Sequence, residues 1–289
     1  MRSLPLLRNR FYSFAALFSL FGLLPSCSLP SKLQTFPYAR SSDLSVDYTS
    51  VDVYECDSSF SDLVVYVHGG AWIKGDKANV HEMPQFFQEN KICLASINYP
   101  LRSPDERPLM EHQLDALLAF NDWLAAGNIR TKSFKRISIL GHSAGAHLVA
   151  LFDKRFGWND QIDNLLLMDS ASYDLNLKYN RSSPRFKNLL SQLLGLDLVS
   201  FDSYPEVFRD FSPGLLPPLP RSQSEMNIVI FSGLRSDARQ SGRMLGDSYR
   251  TSSDYVVRYF DYPWRHRDFP RNIGVDSSFG NQLLMFVRG

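Results

Sequence analysis

The sequence around residues 136–151 restricts the fold more than any other feature. The apolar and β-branched run "RISIL" predicts a strand, "GHSAG" follows it at once, and "AHLVALF" continues as a helix. A Gly-x-Ser-x-Gly turn between a strand and a helix requires its glycines because the two elements approach closely there. The pattern therefore predicts that Ser143 sits in a strained turn, with its hydroxyl exposed above the carboxyl edge of a sheet.

The rest of the chain alternates between short apolar runs and helical patterns. Strand-like runs are found at 62–67, 92–97, 136–140, 164–168, 227–231 and 255–260. Amphipathic or helical stretches are found at about 80–89, 108–126, 238–250 and 273–287. This alternation predicts an α/β fold, in which a mostly parallel central sheet has helices on both faces.

Three parts of the chain are predicted from these patterns. Residues 51–289 form the α/β domain, and the region at about 170–225 interrupts its rhythm with a proline-rich stretch. A long irregular insertion usually serves as a lid or a pocket wall, although a second small domain is the alternative. Residues 27–50 are polar with scattered prolines, which predicts a tether that leads into the first strands.

The first 26 residues predict a secretory signal peptide. Three arginines precede an apolar run from 11 to 24, which is too short to span a bilayer comfortably. The stretch "LPSC" that ends at Cys27 resembles a bacterial lipobox, so Cys27 is the candidate lipidation site. We expect an exported protein, either periplasmic or anchored to the membrane by this lipid.

Two other cysteines, Cys56 and Cys93, are present. They could pair in an oxidising compartment, but the apolar run around Cys93 favours a buried free thiol. The formal charge is only +1, and no basic block is present, so the composition gives no reason to expect a nucleic-acid partner. The oligomeric state cannot be predicted.

A serine hydroxyl needs a base to accept its proton and an acid to orient that base. Of six histidines only His266 follows the serine turn and its helix, in a loop after the strand at 255–260. Asp237 follows the strand at 227–231 and is the preferred acid, although it could instead cap the next helix. Three other acids are alternatives: Asp169, Asp261 and Asp268.

The segment "VHGGAW" could supply the donors that an oxyanion needs. Gly69 and Gly70 would let backbone N–H groups face the serine, and the N–H of Ala144 would complete the hole. Trp72, beside this segment, is predicted to form a wall of the substrate pocket. His142 and His147 are interpreted as packing or helix-face residues. We expect no metal or organic cofactor, since "HEM" at 81–83 lacks the second histidine of a zinc motif.

These motifs together resemble the α/β-hydrolase family, specifically serine esterases with an His-Gly-Gly oxyanion motif. The segments "HGGAW", "NYPL", "GHSAGAHL", "SGLRSD" and "HRDF" are most similar to the group of small carboxylesterases and arylformamidase-like enzymes. The resemblance runs from about residue 60 to the C-terminus. It implies Ser143 as nucleophile, His266 as base, Asp237 as acid, and an oxyanion hole at Gly69, Gly70 and Ala144.

The expected activity is hydrolysis of a carboxylic ester of a small molecule through an acyl-enzyme. An amidase or formamidase with the same triad is the first alternative. A non-catalytic binding lipoprotein on a hydrolase fold is the second. Neither the acyl-chain size nor the choice between ester and amide can be predicted from these residues, because specificity depends on the pocket rather than on the fold.

Overall fold

The computed structural model describes residues 33–39, 46–54, 56–102, 109–196, 205–222 and 225–289. At its centre lies an eight-stranded sheet with the order β1-β2-β4-β3-β5-β6-β7-β8. The strands are β1 (Leu33–Pro37), β2 (Ser50–Tyr54), β3 (Asp62–Val67), β4 (Ile92–Ile97), β5 (Arg136–His142), β6 (Ile162–Met168), β7 (Met226–Ser232) and β8 (Tyr255–Asp261).

Strands β3 to β8 are mutually parallel, whereas β2 is antiparallel to both β4 and β1. Every residue of β3 and β4 is buried, as is typical of parallel strands that are covered on both faces. The six parallel strands therefore present their carboxyl ends at one edge of the sheet.

The described helices pack on both faces of this sheet. They are α1 (Met83–Glu89), α2 (Met110–Ala125), α3 (Ala144–Arg155), α4 (Leu175–Asn180), α5 (Pro184–Leu193), α6 (Pro205–Asp210), α7 (Ser236–Tyr249), α8 (Asp268–Asn272) and α9 (Ser277–Arg288). Short 3₁₀ helices cover Val46–Thr49, Asn128–Ser133 and Pro213–Leu215.

Two hydrophobic cores lie on opposite faces of the sheet. In β3, Val65 points into the core with α2, α3 and α7, whereas Val64 points into the core with α1, α8 and α9. Alternate residues of a strand point to opposite faces, so one apolar strand supplies both cores. The predicted architecture of a mostly parallel sheet between two helical layers is confirmed.

The predicted tether at 27–50 is wrong for part of its length, because β1 lies inside it. Strand β1 forms the edge of the sheet, and Thr35 Oγ1 donates to Asp52 Oδ1 of β2 at 2.6 Å. Phe36 packs near Trp123, with ring centroids 6.2 Å apart. The two prolines in this stretch did not exclude a strand because Pro37 ends an edge strand, where a missing N–H donor is tolerated.

The region at about 170–225 lies between β6 and β7 and contains α4, α5 and α6. It is tied to the domain by hydrogen bonds, since the backbone N–H of Leu175 donates to Ser212 Oγ at 2.8 Å and that of Gly214 to Tyr173 O at 2.8 Å. Residues 31–289 group as one compact unit. These helices thus form part of the α/β domain.

Cys56 and Cys93 form a disulfide, with their Cα atoms 5.0 Å apart. The interpretation of Cys93 as a free thiol was therefore wrong. The chain reaches this geometry because Cys56 follows β2, and β2 pairs directly with β4, which contains Cys93. Cys27 and the predicted signal peptide lie outside the described residues. Among the described helices, none is both long and apolar enough to cross a membrane.

Candidate active site

Ser143 occupies a sharp turn between β5 and α3, with φ 55° and ψ −116°. A Cβ atom at Gly141 would lie 2.6 Å from the Cα of Ala146. A Cβ atom at Gly145 would lie 2.2 Å from the carbonyl oxygen of Val67. Such separations are far below ordinary van der Waals contact, so both glycines of "GHSAG" are required by packing, as the sequence predicted.

His266 connects Ser143 to a carboxylate. Its Nε2 lies 2.9 Å from Ser143 Oγ, and its Nδ1 lies 2.7 Å from Asp169 Oδ2. The Asp169 carboxylate can only accept a hydrogen bond, so the Nδ1 of His266 must carry the hydrogen. The Nε2 of the neutral ring is therefore free to accept the serine proton. The three side chains follow β5, β6 and β8, so the shared carboxyl edge of the parallel sheet brings them together.

Asp169 is fully buried as a side chain and is held by two further donors. Its Oδ1 accepts from the Gly233 N–H at 2.8 Å, and its Oδ2 accepts from Arg235 Nε at 3.1 Å. Burial alone would raise the pKa of this carboxyl. The hydrogen bond from His266, the charge of Arg235 and the Gly233 N–H outweigh burial, and the pKa of Asp169 lies below its usual value. Asp169 is therefore held as a carboxylate.

The prediction of Asp237 as the partner of His266 is wrong. Asp237 lies in the first turn of α7, where its Oδ1 accepts from the Ala238 N–H at 2.9 Å and its Oδ2 lies 3.6 Å from Lys178 Nζ. Its side chain is 37% exposed, whereas that of Asp169 is 0% exposed. The loop after β7 brings the Gly233 N–H and the Arg235 side chain to Asp169, whereas Asp237 lies beyond that loop, in α7.

The other two alternative acids are also placed elsewhere. Asp261 at the end of β8 pairs with Arg239 at 3.8 Å and Arg243 at 3.6 Å. Asp268 Oδ2 accepts from the backbone N–H of Arg265 at 2.8 Å, a local bond within the loop of His266. Asp169 carried a usable signal in the sequence, because it directly follows the buried run "NLLLM".

The predicted oxyanion segment lies against the serine turn. A Cβ atom at Gly69 would be 3.0 Å from the Cβ of Ser143, and Gly70 has φ 137°, which few other residues adopt. Ala144 begins α3, so its N–H belongs to the free first turn of a helix. The next residue after the glycines, Ala71, also has a positive φ of 53° and had no sequence signal. Gly69 and Ala144 thus lie directly beside Ser143, and Gly70 lines the same cavity as the serine.

His68 was not predicted to have a role, but it fixes the shape of this segment. Its ring is buried and stacks on Tyr99 with centroids 4.5 Å apart, and its Nδ1 donates to the Gly69 carbonyl at 2.9 Å. The Tyr99 hydroxyl donates to the His68 carbonyl at 2.9 Å. Burial lowers the pKa of His68, so the ring is held neutral.

His142 and His147 are buried, and each holds a neighbouring segment by its Nε2. His142 donates to the His266 carbonyl at 2.9 Å, and His147 donates to the Phe211 carbonyl at 2.9 Å. Burial, followed by the charge of His266, lowers the pKa of His142 to about 3, and burial lowers that of His147 to about 4. The interpretation of His142 as a packing residue missed its contact with the loop of the base.

We expect these buried neutral rings to make the protein less stable in acid. Between pH 6.5 and about 4 the unfolded chain binds protons at both histidines, whereas the folded chain does not. Stability must then fall as pH decreases, by up to about 1.4 kcal/mol per pH unit for each histidine. The drop in Tm from pH 7 to pH 4.5 should be smaller in His147→Gln than in wild type. The exposed-site variant His112→Gln is the control, and an equal drop in all three proteins would contradict this.

Two cavities meet at the serine and the base. The larger one, of about 370 Å³, includes Ser143 and His266 together with the oxyanion segment. The smaller one, of about 170 Å³, includes the same two residues and is walled by Trp72 and by Phe186 of α5. Trp72 is only 1% exposed, so it is a buried wall. Among the described residues, no group of three or more His, Cys, Asp or Glu side chains could hold a metal ion.

Comparisons with known proteins agree with this topology. Residues 51–184 match the family model described as BD-FAE. A comparison with curated protein sequences returns no match. The solved structures named below are similar to most of the chain, at low sequence identity.

Three of these neighbours are esterases. An inhibited esterase B from Lactobacillus rhamnosis has 16% identity and a TM-score of 0.65, covering 89% of this chain and 86% of that chain. A truncated carbohydrate esterase from gut microbiota has 15% identity and a TM-score of 0.68, covering 90% and 96%. Esterase 2 from Thermogutta terrifontis, phosphonylated by sarin, has 13% identity and a TM-score of 0.61, covering 88% and 92%. The chain therefore has the α/β-hydrolase fold, as its resemblance to that family predicted.

Proposed function

We propose that this protein is a serine hydrolase that cleaves carboxylic esters of small molecules through an acyl-enzyme. One observation carries the proposal: His266 lies between Ser143 and Asp169, with hydrogen bonds of 2.9 and 2.7 Å. Nucleophile and base are within hydrogen-bond reach, and a buried carboxylate orients the base. A non-catalytic binding protein would have no need of this arrangement, which argues against the lipoprotein alternative.

The reaction has two steps. In the first, His266 Nε2 takes the proton of Ser143 as Oγ attacks the ester carbonyl, and the imidazolium then donates this proton to the leaving alcohol. In the second, His266 takes a proton from water as the water oxygen attacks the acyl-enzyme carbonyl. The imidazolium then returns this proton to Ser143 Oγ as the bond from the acyl carbon to Oγ breaks and the acid is released. Asp169 stabilises the imidazolium in both steps.

Negative charge develops on the carbonyl oxygen in each step. We assign its stabilisation to the backbone N–H groups of Gly69, Gly70 and Ala144, since Gly69 and Ala144 lie beside the serine and Gly70 lines the same cavity. His68 supports this assignment, because its hydrogen bond to the Gly69 carbonyl fixes the orientation of that peptide. Fixed donors of this kind are each worth about 10²–10³ in rate.

An amidase or formamidase would use the same triad. The structural neighbours named above favour the ester reading, since each is described as an esterase. One of them is described as inhibited and another as phosphonylated by sarin, and phosphonylation is the reaction expected of an activated serine. Ester hydrolysis is accordingly the proposed activity.

We propose in addition that the protein is exported and that Cys27 carries a lipid. The disulfide between Cys56 and Cys93 supports export, because disulfides persist mainly in oxidising compartments. Incorporation of a labelled fatty acid should occur in the full-length chain and should be lost in Cys27→Ser. Equal incorporation into both proteins would contradict lipidation at Cys27.

The proposed activity can be tested without knowing the natural substrate. We expect a fluorophosphonate probe to modify the native protein once, in the tryptic peptide from Ile137 to Lys154, with fragment ions placing the adduct on Ser143 rather than Ser138. Heat-denatured protein is the control and should not react, because the activation depends on His266. A native protein that does not react, or that reacts equally when denatured, would contradict an assembled triad.

A further inference from the structure

We propose that the larger cavity binds an anionic group of the substrate, so that esters carrying a carboxylate near the scissile bond are preferred. This inference rests on the proposed esterase activity and adds a substrate class to it. The cavity volume of about 370 Å³ is in the range of small-molecule sites. Its lining, apart from the catalytic side chains, is strongly biased in charge.

Basic side chains dominate the polar part of this lining. Lys74, His81, Arg267 and Arg271 all line the cavity, and no acidic side chain is among the described residues that do. The whole chain has 31 basic and 30 acidic residues, so this surplus is local to the cavity. A cavity lined by one sign of charge raises the local concentration of oppositely charged ligands.

These cations are not neutralised within the protein. Within the part of the chain that the structure describes, Lys74, Arg267 and Arg271 have no ion pair within 4.0 Å. Arginines elsewhere are paired, as in Arg235 with Asp169 at 3.1 Å and Arg155 with Glu111 at 2.8 Å. Unpaired cations that line the same cavity as the serine are available to a ligand.

Two carboxylates of the neighbouring segments, Asp76 and Asp268, are engaged with other groups. Asp76 accepts from the Ala78 N–H at 2.7 Å and from Asn98 Nδ2 at 3.3 Å, and Asp268 accepts from a backbone N–H in its own loop. Burial lowers the pKa of His81 and the charge of Arg271 lowers it further, whereas Glu82 raises it. Arg271 is thus the cation whose charge acts on His81, and both residues line the cavity.

The position of the cations suits a group attached to a bound ester. Lys74 is adjacent to the oxyanion segment, because its carbonyl oxygen lies 1.7 Å from where a Cβ on Gly70 would be. Arg267 directly follows the base, and Arg271 lies four residues later on the same side of a short helix. Guanidinium groups bind carboxylates through paired hydrogen bonds, so a carboxylate is the group we assign to this cavity.

Matched ester pairs test the proposal. For an anion on the alcohol side the pair is 4-acetoxybenzoate and its methyl ester. For an anion on the acyl side it is the mono-4-nitrophenyl ester of glutaric acid and 4-nitrophenyl butyrate. The readout is the ratio of kcat/KM for the charged ester to that for the neutral ester, which removes general effects of a substitution on catalysis.

For at least one ester pair, we expect the double variant Arg267→Gln/Arg271→Gln to lower this ratio by about three- to tenfold relative to wild type. An effect of this size is expected because ion pairs between exposed groups are individually weak. Arg265→Gln is the matched control, because Arg265 is an exposed arginine of the same loop that does not line the cavity. It should leave the ratio unchanged. High salt should also lower the wild-type ratio, by screening the charges.

The outcomes separate this inference from the proposed function. If wild type hydrolyses the neutral esters but both ratios are unaffected by the double variant, the anion site is overturned and the esterase proposal stands. An equal fall in the ratio for Arg265→Gln would also overturn it, since the effect would then be one of net charge. If wild type hydrolyses none of the four esters and does not react with the fluorophosphonate, both proposals fail.

Discussion

Replacement of Ser143 by alanine is expected to lower kcat for ester hydrolysis by about 10⁶-fold, to the rate that the oxyanion donors alone can support. The covalent intermediate requires an oxygen at this position, and among the described residues Ser143 supplies the hydroxyl that is hydrogen-bonded to His266 Nε2. The tight turn should survive the substitution, because alanine has the same Cβ at φ 55°. The measurement is the steady-state rate on a 4-nitrophenyl ester.

The control for this variant is Ser96→Ala. Ser96 is buried in β4, and its hydroxyl has no hydrogen-bond partner, so its removal costs little. It should retain near wild-type activity, and both variants should keep their Tm within a few degrees. Substantial hydrolysis by folded Ser143→Ala, with the same substrate profile as wild type, would show that another residue is the nucleophile.

Much of the fold could be predicted because its signals are local. The strand at 62–67 is a fully buried apolar run and has the same bounds in the structure. The serine turn was predictable because Gly141 and Gly145 are demanded by close packing of a strand and a helix. Strand β1 was missed because an edge strand buries little, and its residues are mostly exposed.

The acid of the triad was not predictable from the sequence in the same way. Strands β6 and β7 end at the same edge of the sheet, so Asp169 and Asp237 are both candidates by topology. The choice depends on how the two loops fold over the edge, which is a property of tertiary contacts. In the structure the backbone N–H of Asp169 donates to the Phe231 carbonyl at 2.7 Å, which places the carboxylate under His266.

The roles of His68 and His142 could not be read from the sequence for a related reason. Each acts through one hydrogen bond to a backbone carbonyl. For His142 this carbonyl belongs to His266, more than a hundred residues away in the chain. Backbone acceptors leave no trace in residue identity. A histidine beside the serine turn is therefore equally compatible with packing and with positioning of the base.

Because Asp169 rather than Asp237 contacts His266, replacement of these two aspartates should have very different effects on kcat. We expect Asp169→Asn to lower kcat by about 10³–10⁴-fold, because the amide cannot stabilise the imidazolium and its NH₂ group favours the wrong ring tautomer. Asp237→Asn should stay within about twofold of wild type, since its side chain faces solvent and the Lys178 ammonium, an exposed pair of small energy. The measurement is kcat on the same 4-nitrophenyl ester.

The comparison also distinguishes a lost catalytic role from a lost fold. Asp169→Asn removes the charge that faces Arg235, so some loss of stability is expected alongside the loss of rate. If the effect were only structural, Arg235→Gln, which removes the facing charge while keeping the carboxylate, would lower kcat as much as Asp169→Asn. We expect it to lower kcat far less, because Asp169 would still accept from His266 Nδ1 and from the Gly233 N–H. A larger loss for Asp237→Asn than for Asp169→Asn would instead restore the acid to α7 and would mean that the loop after β7 rearranges when substrate binds.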